Sequence, residues 1–204
     1  MKQLLMTVCV AVIGPSSAFA QDAAAVLEGT WESIACELRP QPDGQGGVSE
    51  WWLTRNVTFT DGRIEARFTT YAGPGCDFAL SELHFAGAVN ILGPSDVAED
   101  AVEADLVIDE FVNITPLAQG FADFLNGAPE GLCGADWVVG EAQDILPVGC
   151  ALLDVAANEP TIEYEILSVQ GDHVYFGARR IDGAFLTSPD LRPKALLVPA
   201  RRVN

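Results

Sequence analysis

The stretch Leu27-Glu28-Gly29-Thr30-Trp31-Glu32-Ser33-Ile34-Ala35-Cys36-Glu37-Leu38-Arg39-Pro40 sets a tryptophan, a cysteine and a charged pair in one predicted β-strand. Alternation puts Trp31, Ser33, Ala35, Glu37 and Arg39 on one face and Ile34, Cys36 and Leu38 on the other. Neither face is wholly apolar or wholly polar. Such a strand suits the wall of a barrel or sandwich.

The residues before it read as a leader. Met1-Lys2-Gln3 is a short basic start, Leu4 to Ile13 is an apolar run too short to span a bilayer, and Ala18-Phe19-Ala20 is a small-x-small cleavage site. Residues 1–20 are therefore expected to be a signal peptide and residues 21–204 one exported domain, periplasmic or extracellular. Cys9 lies inside the apolar run rather than after it, which argues against a lipoprotein. No later segment offers the uninterrupted apolar run of a membrane anchor.

Without the leader, Cys36, Cys76, Cys133 and Cys150 remain, an even number that reads as two disulfides in an oxidising compartment. Four cysteines allow three connectivities, and the sequence does not choose between them. Loop-closure entropy favours Cys36 with Cys76 and Cys133 with Cys150, the shorter loops. Metal ligation is the rival reading, but there is no Cys-x-x-Cys pair, and His84 and His173 lie far from any ligand spacing. No metal and no cofactor are expected.

With 49% of the chain apolar and about 184 residues after the leader, one domain can bury a full core. The formal net charge of −18 argues against nucleic acid and anionic membrane surfaces as partners. Carboxylates are densest from Asp96 to Glu110, a stretch that lacks the Asp-x-Asp-x-Asp-Gly pattern of a calcium loop and reads as a solvated face.

The rest of the chain reads as a succession of strands: Trp51 to Thr60, Arg63 to Tyr71, Phe78 to Ala88, Val102 to Ile114, Trp137 to Ile145, Cys150 to Val155, Thr161 to Gln170, His173 to Arg180 and Ala195 to Arg201. Asp61-Gly62 and Gly171-Asp172 mark tight hairpins. Gln41 to Gly47 reads as a loop. One helix is predicted, with Thr115 as N-cap, Pro116 at its first position and Leu117, Phe121, Phe124 and Leu125 along one stripe to Asn126-Gly127. Its stripe reads as core packing, with capping of a barrel mouth as the alternative. The predicted fold is mainly β: an antiparallel barrel or strongly curved sheet with one helix and two disulfides.

The opening segment, followed by Trp52-Leu53-Thr54-Arg55, resembles the start of the domain family named for adenomatosis polyposis coli down-regulated protein. The pattern there is Gly-Thr/Ser-Trp-x-Ser-x-x-Cys-Glu-x-Arg, then Phe/Trp-Leu-Thr-Arg. Further resemblance lies in Tyr71 before Cys76, Asn126-Gly127, Cys133-Gly134-Ala135, Trp137, Gly149-Cys150, Glu163-Tyr164-Glu165-Ile166, Asp182-Gly183 and Ser188-Pro189-Asp190-Leu191-Arg192-Pro193. The resemblance implies a secreted, disulfide-bonded, lipocalin-like β-barrel whose apolar interior receives an acyl chain. Animal members carry two such domains and a membrane anchor and antagonise Wnt signalling. A single copy, no anchor and a leader of bacterial type argue against carrying that signalling role over.

The residues fit a lipid-binding interior. Trp51, Leu53, Arg55, Val57 and Phe59 share one strand face, which sets a guanidinium among apolar groups that needs a partner. The simpler expectation is an internal ion pair of Arg55 with Glu37. The sharper one is that Arg55 or Arg179 meets the carboxylate of a fatty acid whose tail lies along Trp51, Leu53, Phe59, Phe68 and Tyr164. Trp31 is expected to plug one end of the barrel, Trp137 to pack on the Cys133 bridge, and His84 to be satisfied or exposed.

An enzyme is not expected: the chain has no Gly-x-Ser-x-Gly elbow and no free thiol, and no motif singles out a pair of its carboxylates. The expected function is a lipid- or acyl-binding protein. The alternative is a protein-interaction module with a filled barrel and an unknown protein partner.

Overall fold

The computed structural model describes residues 15–42, 47–129 and 132–203. The basic start and apolar run of the leader, Cys9, and the tip of the Gln41–Gly47 loop lie outside the described residues. Ten strands form one antiparallel sheet: β1 (Gly29–Ser33), β2 (Glu37–Pro42), β3 (Val48–Thr60), β4 (Arg63–Tyr71), β5 (Ala79–Pro94), β6 (Ala101–Pro116), β7 (Gln143–Asp144), β8 (Thr161–Gln170), β9 (His173–Phe176) and β10 (Ala200–Val203). Two helices accompany them, α1 (Pro15–Leu27) and α2 (Gln119–Asn126). Because β1 pairs with β10 on one side and with β3 on the other, the neighbour relations return on themselves in a ring. A ring leaves its member strands without a free edge, and β2 extends along β3 beyond it.

The opening stretch is two strands rather than one. On β3, Trp31 faces Val57 while Glu37 faces Leu53, so two more residues lie on the β1–β2 side than on the β3 side. The Ser33 hydroxyl takes the amide of Arg55 across this interruption at 2.7 Å. An insertion of two leaves the alternation in phase. Trp31 and Glu37 therefore both point inward, as one continuous strand would have placed them, and Leu38 points out.

The other departures have local causes. Residues 21–27, read as the start of the mature chain, belong to α1, whose Gln-Asp-Ala-Ala-Ala run has strong helix propensity. Its Ala23 and Leu27 pack into the core. The second helix begins at Gln119, not Pro116. Pro116 instead ends β6 opposite Ser81, and the amides of Leu117 and Ala118 both bond the Leu80 carbonyl. Sheet pairing there overrides the local helix-start signal. Of Trp137–Ile145 only Gln143–Asp144 is strand, and Cys150–Val155 is mostly a 3-10 turn, because this region is organised by a disulfide. β9 stops at Phe176, where residues 177–199 swing away before returning as β10. The Asp96–Glu110 stretch is not wholly solvated either, since Asp105 meets Arg192 at 2.6 Å.

Curvature enters where β5 and β6 lose register. Ala86 faces Phe111 and Ala88 faces Val107, so two extra residues of β6 bulge past Gly87. A Cβ on Gly87 would collide with the Val107 carbonyl, so only glycine lets the two backbones approach this closely. Both disulfides join the cysteines favoured by loop length: Cys36 to Cys76 across 40 residues and Cys133 to Cys150 across 17. Trp137 donates its indole N–H to the Cys133 carbonyl at 2.8 Å, which fixes it beside the second bridge.

Candidate functional site

Inward-facing positions of the ring fill one part of the interior and leave the rest hollow. Trp31, Val57, Phe59, Ile64, Val174 and Phe176 are buried in the packed part, and Phe59 stacks on Phe176 with centroids 6.4 Å apart. Further along the same strands the walls draw apart around a cavity of about 1070 Å³. Trp51, Leu53, Phe68, Leu83, Phe85, Ile108, Val112 and Ile114 supply its apolar wall. Phe121, Phe124 and Leu125 of α2 and the bridged Cys133 and Cys150 also border it. The ring edge of Trp51 meets Phe121 at 6.2 Å, which ties α2 to the wall. The stripe is partly core packing, as expected: Ala122 and Leu125 are buried, while Phe121, Phe124 and Leu125 border the hollow.

One side of the interior carries a cluster of charges, while Glu82 of β5 and Asp123 of α2 border the cavity elsewhere. β2 contributes Glu37 and Arg39, β3 contributes Arg55, β8 contributes Glu163 and Glu165, and Arg179 follows β9. Arg55 is spoken for. It is 7% exposed, meets Glu37 at 2.8 and 3.1 Å, donates to the Val198 carbonyl, and lies 4.5 Å from the centroid of Phe176. Ser33 donates its hydroxyl proton to the same Glu37 carboxylate at 2.5 Å.

Glu163 and Arg179 form a second ion pair, at the cavity wall. Burial alone would raise Glu163, but Arg179 and then Arg39 outweigh it and hold the carboxyl below its usual range. Burial likewise works against the Arg179 cation, yet Glu163 and Glu165 raise it above the ordinary guanidinium value. Even so, Nη1 of Arg179 is buried with no acceptor among the described residues. Arg39 also lines the cavity, and beyond its backbone place in the β2–β3 ladder its guanidinium makes no hydrogen bond or ion pair among the described residues. Burial pushes it down to about 9, the Arg179 cation adds to that, and Glu163 opposes it.

Glu165 plays a different part. Its Oε1 accepts the amides of Ile166 and Gly177, each at 2.9 Å, where β9 leaves β8 and a ladder partner is missing. Burial pushes its carboxyl up to about 7, countered by Arg179 and reinforced by Glu163. A carboxyl raised in the folded state binds more protons folded than unfolded between the two values. Stability from this group is thus complete below the unfolded value of 4.5 and is lost as pH rises towards 7. Glu165→Gln keeps an acceptor for both amides and removes the proton. The wild type is expected to lose up to roughly 3 kcal/mol relative to this variant between about pH 4.5 and pH 7. Urea denaturation of both proteins at each end of that range checks it, and parallel curves would refute it.

Of the residues expected to hold a ligand, Trp51, Leu53, Phe68 and Arg179 border the cavity together. Arg55 and Phe59 face inward but belong to the ion pair and the packed core, and Tyr164 points to the other face of β8, near the Arg192 guanidinium at 5.4 Å. Arg39 and Glu163 escaped the sequence reading as ligand-site residues. Alternation had put Arg39 on the same face as Trp31 and Glu37, but nothing in the sequence told it apart from the paired Arg55. His84 lies on the outer face, 2.8 Å from Glu65, and neither histidine borders the cavity.

The model of the family described as Adenomatosis polyposis coli down-regulated 1 matches residues 10–143. The chain belongs to this family. No curated protein matches the chain in a sequence search. The family match takes in α1, the wall strands β1 to β6, α2 and Cys133, while Cys150, Glu163 to Ile166, Asp182-Gly183 and Ser188 to Pro193 lie beyond it. Family membership, a β-rich fold and two disulfides fit an extracellular binding or interaction module, and no described helix is long and apolar enough to cross a membrane.

Proposed function

We propose that this protein is an exported, lipocalin-like barrel that binds a lipid or acyl-bearing ligand in its interior, and that it is a carrier or receptor rather than an enzyme. The cavity of about 1070 Å³ with aromatic and aliphatic walls carries the reading. It is at the upper end of the range for small-molecule sites, and its apolar wall suits a flexible hydrocarbon chain. The rival module with a barrel filled by its own side chains fits such a hollow poorly. Export rests on the leader-like residues 1–20, whose cleavage after Ala20 would cut within α1 and leave Ala23 and Leu27 in the core.

Protein purified without detergent is expected to release lipid on solvent extraction, detected by mass spectrometry. The stripped protein should then enhance the fluorescence of cis-parinaric acid. Leu83→Trp, which pushes an indole into the hollow, should weaken that binding at least about tenfold. An extract without lipid, together with no fluorescence gain, would overturn the reading.

A further inference from the structure

We infer that the cavity selects a ligand with a carboxylate head, and that Arg39 is the residue that reads it. This rests on the reading of the cavity as a lipid site and names the head group of its ligand. Most charges in the cluster at that side of the interior are already matched. Glu37 is matched by Arg55, and Glu163 by Arg179. Glu165 already has its Oε1 engaged by two backbone amides. Arg39 is left over: a guanidinium on the wall of a mostly apolar hollow that feels the charge of Glu163 but makes no direct ion pair among the described residues, Glu163 being bonded to Arg179.

An unmatched cation in such surroundings is costly to keep, and evolution of a purely structural wall would favour an apolar residue there. A second unmet donor, Nη1 of Arg179, belongs to the same neighbourhood. Arg39 and Arg179 both border the large cavity, and both also border a small one of about 30 Å³ that reaches Glu37 and Arg55. Two unmet donor groups on adjoining wall positions suit the two oxygens of one carboxylate. Leu53, Phe68, Leu83 and Phe121 on the same cavity wall are apolar and would accompany the tail. The same side of the interior is short of negative charge whenever Glu165 holds its proton, which burial favours. A monoanionic head restores the balance.

The test compares cis-parinaric acid with its methyl ester, two fluorescent probes with the same tail, on the full chain at neutral pH. The acid is expected to bind at least about tenfold more tightly than the ester, the scale of a charge-assisted hydrogen bond. Arg39→Met should bring the two affinities close to parity, and Arg39→Lys should keep much of the preference. Equal binding of acid and ester to the wild type overturns the inference while leaving the lipid-site reading standing, and does so whatever the variants do. A preference that survives in a folded Arg39→Met protein, folding being followed by its urea midpoint, also overturns it. Binding of neither probe removes the lipid-site reading and this inference together.

Discussion

Arg55→Ala is expected to lower the unfolding free energy by about 3–5 kcal/mol, because it strands the Glu37 carboxylate inside the ring. Glu37 is 5% exposed, and apart from Arg55 only the Ser33 hydroxyl reaches it among the described residues. The loss extends beyond the pair. The Arg55 side chain also ties β3 to the Val198 carbonyl and covers Phe176, so it joins the first half of the ring to the returning C-terminal segment. Replacing both partners, Glu37→Gln with Arg55→Met, removes the stranded charge and should recover much of the loss. Urea denaturation of the single and double variants measures it. A single-variant cost below about 1 kcal/mol, the scale of an exposed pair, would show that the carboxylate finds water or another partner. Because Arg55 does not border the large cavity, the protein that remains folded should bind an apolar probe as the wild type does.

Much of this ion pair is legible in the sequence. Alternation along β3 set Arg55 between Leu53 and Val57, alternation along the opening stretch put Glu37 on the face of Trp31, and a buried charge demands a partner. The interruption at Ile34–Cys36 could have spoiled that inference, and it did not because it inserts an even number of residues. Strands bounded by tight turns were equally readable: Arg63–Tyr71 and Thr161–Gln170 have the expected limits. The local signals failed where long-range contacts decide. Pro116 has every mark of a helix start, yet pairing with Ser81 holds it in the sheet. Cys150–Val155 alternates like a strand but folds as a turn against its disulfide.

Within the candidate site the same division holds. That Trp51, Leu53 and Phe68 share an interior follows from period-two reasoning. Which arginine remains unpaired does not, because that depends on the register between β2 and β3 and on where the chain goes after Gly177. A Cβ at Gly177 would strike both Glu165 and Pro193, so the turn that delivers Arg179 to the cavity depends on a contact with residues far along the chain. No local pattern encodes it.

Trp31→Ala is expected to cost about 3–5 kcal/mol, the range for deleting a buried aromatic side chain. Trp31 has no exposed surface and packs with Val57 and Phe59 in the filled part of the interior. The Arg202 guanidinium lies 4.0 Å from the centroid of its ring, and its indole N–H donates to the Leu27 carbonyl at 2.8 Å. One side chain therefore joins the strand that closes the ring, the last strand and the C-terminal turn of α1. Trp31→Phe separates these contributions. It keeps most of the apolar volume but leaves the Leu27 carbonyl without its donor, for an expected loss of about 1–2 kcal/mol. Chemical denaturation gives both values, and amide hydrogen exchange should show α1 opening more readily in each variant. If alanine costs no more than phenylalanine, packing at this position contributes little, and the plug assigned to Trp31 is wrong. If both variants also lose affinity for an apolar probe while folded, the filled part of the interior is coupled to the cavity, and the separation between structural core and ligand site would have to be given up.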